Sequence, residues 1–451
     1  MPGLTSPRVP LYNGLVKRVL LGLLAVCFIP LSTHADTGAP YTYQLPSGMT
    51  VILCPIPGMQ ATCVLTYHKN GVRHDPPAIR GASFLYQYLM MLGTENLDDF
   101  DRLMFIRRNA GESNVRVGMD YAYFSQLIPD HTIANALWLE HERLTSLLFF
   151  DPSVNAQKRN LSQRLSALVR ENTIFRAQEW VRAKVFENTV YQDPVYGSLD
   201  VLRNLDNDSI RSRYPVFQNP ENIILVLSGS LKIREAISLI REHFPLNSDG
   251  AAIKSPPFEA IPPREQAARE TWKDTDTSMN AIIYGFRTPG LVSEDYLAFQ
   301  IIQSFLTDPR HSRLDRILNQ DNHLNIRIAR EMTHQFEANA LIFRISSPSR
   351  MAIQKAADLV NQLLDVLAGG NLTNNDLRQT RTLMEIDLRK AMLEPEQRAL
   401  REAQQVHLFG PKGLARSPES ELKAFTIQDL QQVCRKYLSQ KNRVIFNVFK
   451  K

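Results

Sequence analysis

The sequence predicts an α+β protein of two homologous halves, each a mainly antiparallel sheet with helices packed on it. Three observations point there. First, the passage from Leu202 to Val226 lies over the chain's end without a gap at an offset of 220: Leu202 falls on Leu422, Leu205 on Phe425, Ile210 on Leu430, Phe217 on Tyr437, Asn222 on Asn442 and Val226 on Phe446. Ala61–Gly71 resembles Asn280–Gly290 in the same way. Second, strand-like and helix-like segments come in blocks rather than in strict alternation, which favours helices layered on an antiparallel sheet. Third, Pro245 to Thr277 carries Pro256-Pro257, Pro262-Pro263 and many charges without periodicity, and reads as an exposed linker between the halves. The expected organisation is a signal peptide over 1–35, a first domain over 36–245, a linker over 246–277 and a second domain over 278–451.

In chain order, Lys17 and Arg18 precede the apolar run Val19–Leu31 and the small residues up to Ala35, the pattern of an export signal. That run is too short to span a bilayer as a mature helix, and no later segment is long and apolar enough. An exported, periplasmic protein with no membrane span in its mature form is expected. The formal charge is +6, of which Arg8, Lys17 and Arg18 supply three. The remainder is small for a chain this long and excludes nucleic acid as the first class of partner. Met49–Cys54 and Ala61–His68 read as two strands around the turn Pro55-Ile56-Pro57-Gly58. A hairpin centred there sets Cys54 opposite Cys63, either as a disulfide or as two small residues on a buried strand face. Cys434 falls on the apolar face of a helix, and no cysteine has metal-site spacing.

The run Leu45–Thr94, "LPSGMTVILCPIPGMQATCVLTYHKNGVRHDPPAIRGASFLYQYLMMLGT", resembles the opening of the pitrilysin/insulinase metallopeptidases, which include the mitochondrial processing peptidases. Gly71, Arg73, Asp75, Pro76, Gly81, Gly93 and Thr94 match that family's pattern. So do Gly111, Asn114, the Trp138–Leu144 stretch, "PENIILVLSGS", "IIYGFRTPG" and "RHSRLDRIL". The resemblance implies the pitrilysin/processing-peptidase fold over almost the whole mature chain.

It also implies a zinc site, carried in active members by His-x-x-Glu-His on one helix and a further Glu on a later helix. Residues i and i+4 aim both imidazoles at one ion, and the Glu between them polarises the bound water. Anchored on Gly81 and Gly93-Thr94, those positions are Phe84, Gln87 and Tyr88 here, and the distal ligand position falls at Leu165. Phe84 and Leu165 have no donor atom, Tyr88 offers a phenol, and Gln87 is a neutral amide that accepts no proton from water. No two of the ten histidines stand four apart, and Glu171 is the one nearby acid were the alignment to slip. Zinc is therefore expected of the family but not of this chain, and no cofactor takes its place. Phe84, Tyr88 and Met91, like Leu161, Leu165 and Leu168, form apolar stripes at helical spacing.

Family members use an Arg and a Tyr in the second half to orient the substrate carbonyl; the matching positions are Asn319 and Ile326. Gly111 and Asn114 lie where the family places an edge strand that pairs with extended peptide. Asn371–Val406 reads as charged, solvent-facing helices of the second half. The expected function is that of a catalytically inactive homologue in the cell envelope. It would act as partner or regulatory subunit of an active paralogue, or hold peptide, and pairing as a homodimer or with another family chain is implied. The alternatives are an active zinc endopeptidase with an atypical site and a purely structural envelope subunit.

Overall fold

A computed structural model describes residues 38–451, apart from 92, 245–256, 276 and 278. The expected signal peptide and the first part of the expected linker lie outside the described residues. Eleven strands form two sheets. The first has the order β1-β2-β6-β3-β5-β4 and the second β7-β11-β8-β10-β9. Their ranges are β1 Tyr41–Gln44, β2 Thr50–Pro55, β3 Ala61–His68, β4 Glu112–Val117, β5 Ala122–Pro129, β6 Ile223–Gly229, β7 Ala268–Asp274, β8 Asn280–Pro289, β9 Arg327–Met332, β10 Ala338–Ser347 and β11 Arg443–Lys450. From β2 onward the two orders coincide strand for strand. Each sheet has one parallel pair, β2 with β6 and β7 with β11, and the remaining pairs are antiparallel. The repeat read from the sequence is thus a repeat of topology.

Nine helices position the features discussed below: α1 Ala82–Leu89, α2 Ile133–Thr145, α3 Asp151–Glu171, α4 Thr173–Val185, α5 Tyr296–Thr307, α6 Arg350–Ala368, α7 Asn374–Leu393, α8 Pro395–Phe409 and α9 Ile427–Tyr437. On the first sheet, Leu85, Tyr86 and Leu89 of α1 and Ala136 and Leu137 of α2 pack over Val64, Phe124 and Leu225. On the second, Phe299 and Ile302 of α5, Val360 and Leu364 of α6 and Leu430 and Cys434 of α9 cover Tyr284, Phe343 and Ile345. The opposite faces are covered by exchange. Ala177, Val181 and Val185 of α4, from the first half, lie on Ile283, Ile342 and Val444 of the second sheet. Ala399, Ala403 and Val406 of α8, from the second half, lie on Cys63, Leu65 and Ile224 of the first. Gly285 lets α4 sit down on β8, since a Cβ there would lie 2.5 Å from Val181 Cγ1. The repeated Asn closes the same turn in both halves: Asn222 Nδ2 donates to Val216 O (2.9 Å) and Asn442 Nδ2 to Tyr437 O (2.6 Å).

Three expectations are corrected. The linker reading fails for Ala268–Asp274, which is strand β7: its residues alternate between half-buried and exposed, and Trp272 packs on Phe446. The charges taken for a linker are the solvent side of an edge strand. The cysteine hairpin fails as well, because β6 runs between β2 and β3. Cys54 and Cys63 both pair with Ser228, from opposite sides, and both thiols are free and buried. Two strand spacings set them roughly 10 Å apart, beyond disulfide reach. Burial pushes the Cys54 thiol up to about 12. Finally, residues 395–406 are not solvent-facing. They belong to α8, whose charged side chains reach partners inside: Arg398 donates to Pro55 O (3.2 Å) and Gly38 O, and Arg401 to Glu402 (2.7 Å).

Candidate functional site

The turn before α1 explains three of the residues that carry the family resemblance, Gly81, Asp75 and Arg73. Gly81 has a left-handed φ of +103° and lies against Tyr196 O, which a Cβ would approach to 2.6 Å, so only glycine fits where the chain enters α1. Asp75 is buried and caps the helix, accepting from Gly81 N (2.9 Å), Ser83 N (3.0 Å) and Ser83 Oγ, with Arg213 at 3.6 Å. Arg73 reaches the junction of the halves. Its guanidinium donates to Asp120 Oδ1 (2.9 Å) and Tyr191 OH (3.0 Å), pairs with Glu337 Oε2 (3.1 Å), and lies over the Phe258 ring. Asp120 also accepts from Tyr191 OH (2.9 Å) and Phe336 N (2.8 Å). Burial pushes its carboxyl up, and the Arg73 charge acts against that rise.

The positions of the expected zinc site fall on two helices of the first half. Phe84, Gln87 and Tyr88 occupy α1, and Leu165 lies on α3, which packs against it. Phe84 packs with Val72, Met119 and Val181, and Leu165 joins the apolar cluster beneath α1. Gln87 is fully buried, and neither atom of its amide has a hydrogen-bond partner among the described residues. Tyr88 is half-buried. Glu171 stands at the exposed end of α3, paired with Arg170 at 2.8 Å. The donor set here is an orphaned amide and a phenol beside two hydrocarbons, which does not fit zinc. Among the described residues no group of three or more His, Cys, Asp or Glu stands close enough to hold a metal ion.

The two expected clamp positions are brought together, and what they bind is each other. Asn319 Nδ2 donates to Ile326 O (2.8 Å) and Asp315 Oδ1 (2.8 Å), while Ile326 N donates to Asn319 Oδ1 (2.6 Å). The Ile326 side chain is buried in the second core. Asn319 thus serves as a backbone mimic that closes a loop.

Strand β4 forms the end of the first sheet, with Gly111 just before it and Asn114 exposed on it. Asn114 Nδ2 donates to Glu396 Oε1 of α8 (3.0 Å), and Ser125 Oγ on β5 donates to the same oxygen (2.9 Å). Sequence reasoning missed Glu396, Asp120, Tyr191 and Glu337. Only Glu396 left a local signal, an acid beside the Pro that opens a helix.

Fold and turn together define a two-half chain built like the metallopeptidases whose helix bears the inverted zinc motif. The Peptidase M16 inactive domain model matches residues 204–384. A Helicobacter pylori zinc protease, PqqE, is 23% identical over 378 residues, covering 80% of this chain and 83% of that protein. The match to an uncharacterized zinc protease of Streptomyces coelicolor is 21% identical; the chain spans 48% of that relative's length. Among solved structures, a protease from Helicobacter pylori superposes with a TM-score of 0.82 at 17% identity, over 91% of this chain and 99% of that one. The periplasmic protease PqqL of Escherichia coli superposes with a TM-score of 0.72 at 17% identity, over 92% of this chain but 48% of PqqL. In fold and in these matches the chain is similar to the pitrilysin/insulinase family of metallopeptidases.

Proposed function

We propose that this chain is a non-catalytic member of its family, exported to the cell envelope, where it acts as partner subunit to an active paralogue and holds extended peptide along β4. The observation that carries this reading is the chemistry of the α1 face: Phe84, Gln87, Tyr88 and Leu165 provide neither metal ligands nor a general base. The clamp positions add support, since Asn319 spends its amide on Ile326. The neighbour that supports envelope location and assembly with a second unit is PqqL, a periplasmic protease matched over 48% of its length by 92% of this chain. Strand β4 offers backbone donors and acceptors for strand addition without any catalytic group.

The test is metal analysis and peptide hydrolysis by the purified chain, with native mass spectrometry of the protein drawn from its own envelope. The expected result is a zinc-free, hydrolytically silent chain bound to a second chain of similar mass that carries zinc. One zinc held by this chain, with peptide cleavage, overturns the reading. A zinc-free homodimer overturns the paralogue pairing and leaves the peptide-holding role.

A further inference from the structure

The ladder registers relate the two halves residue by residue. Val226 and Phe446, superposed by the offset of 220, pair with Leu65 and Ile283. Those pair with Ser125 and Arg344, which in turn pair with Asn114 and Ala329. The exchanged helices correspond through Arg176 and Arg398, each at the fourth helical position, so Ile174 stands where Glu396 does. In the first half the trio is self-satisfied, with Ser125 and Asn114 both donating to the Glu396 carboxylate. In the second half it reads Arg344, Ala329 and Ile174: a guanidinium for the hydroxyl, a methyl for the amide, a hydrocarbon for the acid.

Arg344 is half-buried, and the small Ala329 leaves it room on the sheet face. Arg327 is the diagonal cross-strand neighbour on the same face, about 7–8 Å away between backbones. Neither guanidinium makes a hydrogen bond or ion pair among the described residues. Burial and the Arg327 charge hold Arg344 below its usual range. Glu331 is the other diagonal neighbour of Arg344 on this face; it lies beside Glu179 and Arg182 of α4 and forms no ion pair with Arg344 or Arg327 among the described residues. Two cations side by side, neither of them paired with an acid, complement a carboxylate, and β9 is the end strand of its sheet.

We propose that Arg327 and Arg344 form a carboxylate-recognition site at the edge of the second sheet, taking the C-terminal or side-chain carboxylate of an extended peptide added to β9. The site does not depend on the peptide-holding role of β4, and variants at Asn114 leave it unchanged.

The test is fluorescence anisotropy with a short Ser/Thr/Val peptide carrying an uncharged dye, in three forms: free C-terminus, amidated with one Glu, and amidated without Glu. A carboxylate form binds about tenfold tighter than the neutral one, and whichever form gains identifies the source. Arg344→Gln with Arg327→Gln erases the preference, while binding of the neutral peptide stays the same. Equal binding of all three forms by the unaltered protein, or a preference that survives the double substitution, overturns the proposal. The first comparison needs no variant, so a misfolded variant does not shield the proposal.

Discussion

Replacing Arg73 by Met removes the cation that Asp120 and Glu337 share at the junction of the halves and nearly preserves the length of the side chain. Arg73 is 12% exposed and Asp120 1%, so the stranded Asp120 carboxylate has almost no access to water. Tyr191 OH and Phe336 N still donate to it, which softens the loss, but Glu337 also loses its counter-charge. Breaking a buried pair from one side costs about 3–5 kcal/mol. The upper half of that range applies if both carboxylates stay charged, the lower half if Asp120 takes up a proton. Urea unfolding followed by tryptophan fluorescence measures it, because Trp180 and Trp272 both pack on Phe446, on the sheet face that the exchanged α4 covers. Arg73→Lys restores the charge but not the fork that reaches Asp120, Tyr191 and Glu337 together, and recovers only part of the loss. In the double variant with Asp120→Asn, the combined loss falls short of the sum by more than 1 kcal/mol, as coupled residues require. An Arg73→Met loss under about 1 kcal/mol, or strict additivity with Asp120→Asn, would refute the view that this network ties the halves.

Other outcomes follow from the same geometry. His68 is fully buried between the Phe124 and Phe217 rings, and burial with the nearby Arg143 charge lowers it from 6.5 to about 3. The folded state therefore binds fewer protons than the unfolded one, and this group's stability is complete above pH 6.5 and lost as pH falls towards 3. His68→Leu flattens the acid limb of stability against pH by roughly 1.4 kcal/mol per unit in that window; an unchanged slope would count against a neutral buried imidazole. Introducing Phe84→His, Gln87→Glu, Tyr88→His and Leu165→Glu together creates a site for one zinc ion, measured by isothermal titration. No binding by a folded variant would show that these four positions do not converge. Cys54, Cys63 and Cys434 all react with a thiol reagent after denaturation without reductant; a protected Cys54–Cys63 pair would contradict the strand order.

What the sequence made legible was periodic and local. The offset of 220 was enough to anticipate two sheets of one topology, because buried strands and their closing Asn must repeat wherever a fold repeats. What it hid was long-range. Nothing near Cys54 shows that β6 will enter from residue 223, since strands adjacent in sequence usually pair directly and here the connection is displaced by one strand. Likewise α8 carries Arg398, Arg401 and Glu402, a composition that signals solvent until the acceptors at Pro55 and Gly38 are seen. The expected zinc positions were placed by the family resemblance, anchored on Gly81 and Gly93-Thr94, whereas Asp120, Tyr191 and Glu337 have no shared spacing and meet only after both halves fold.

The residues that resemble the family and those that depart from it divide by physical task. Gly81 admits a backbone turn, Asp75 caps α1, and Arg73 joins the halves; each is needed whether or not a metal is ever bound. Phe84, Gln87, Tyr88, Leu165, Asn319 and Ile326 stand where the family resemblance places metal ligands and a substrate clamp, and there the chain holds apolar or neutral side chains; Phe84 and Leu165 pack, and Asn319 closes a loop. A fold under no catalytic demand loses nothing by such exchanges. Burying Phe84 among Val72, Met119 and Val181 gains apolar contact that a pair of imidazoles held open for an ion would forgo. An enzyme with an atypical site would show the reverse, donors moved but still converging and strain kept where the reaction needs it. Here Phe84 and Leu165 pack against the apolar clusters, while Gln87 keeps a buried amide without a partner among the described residues.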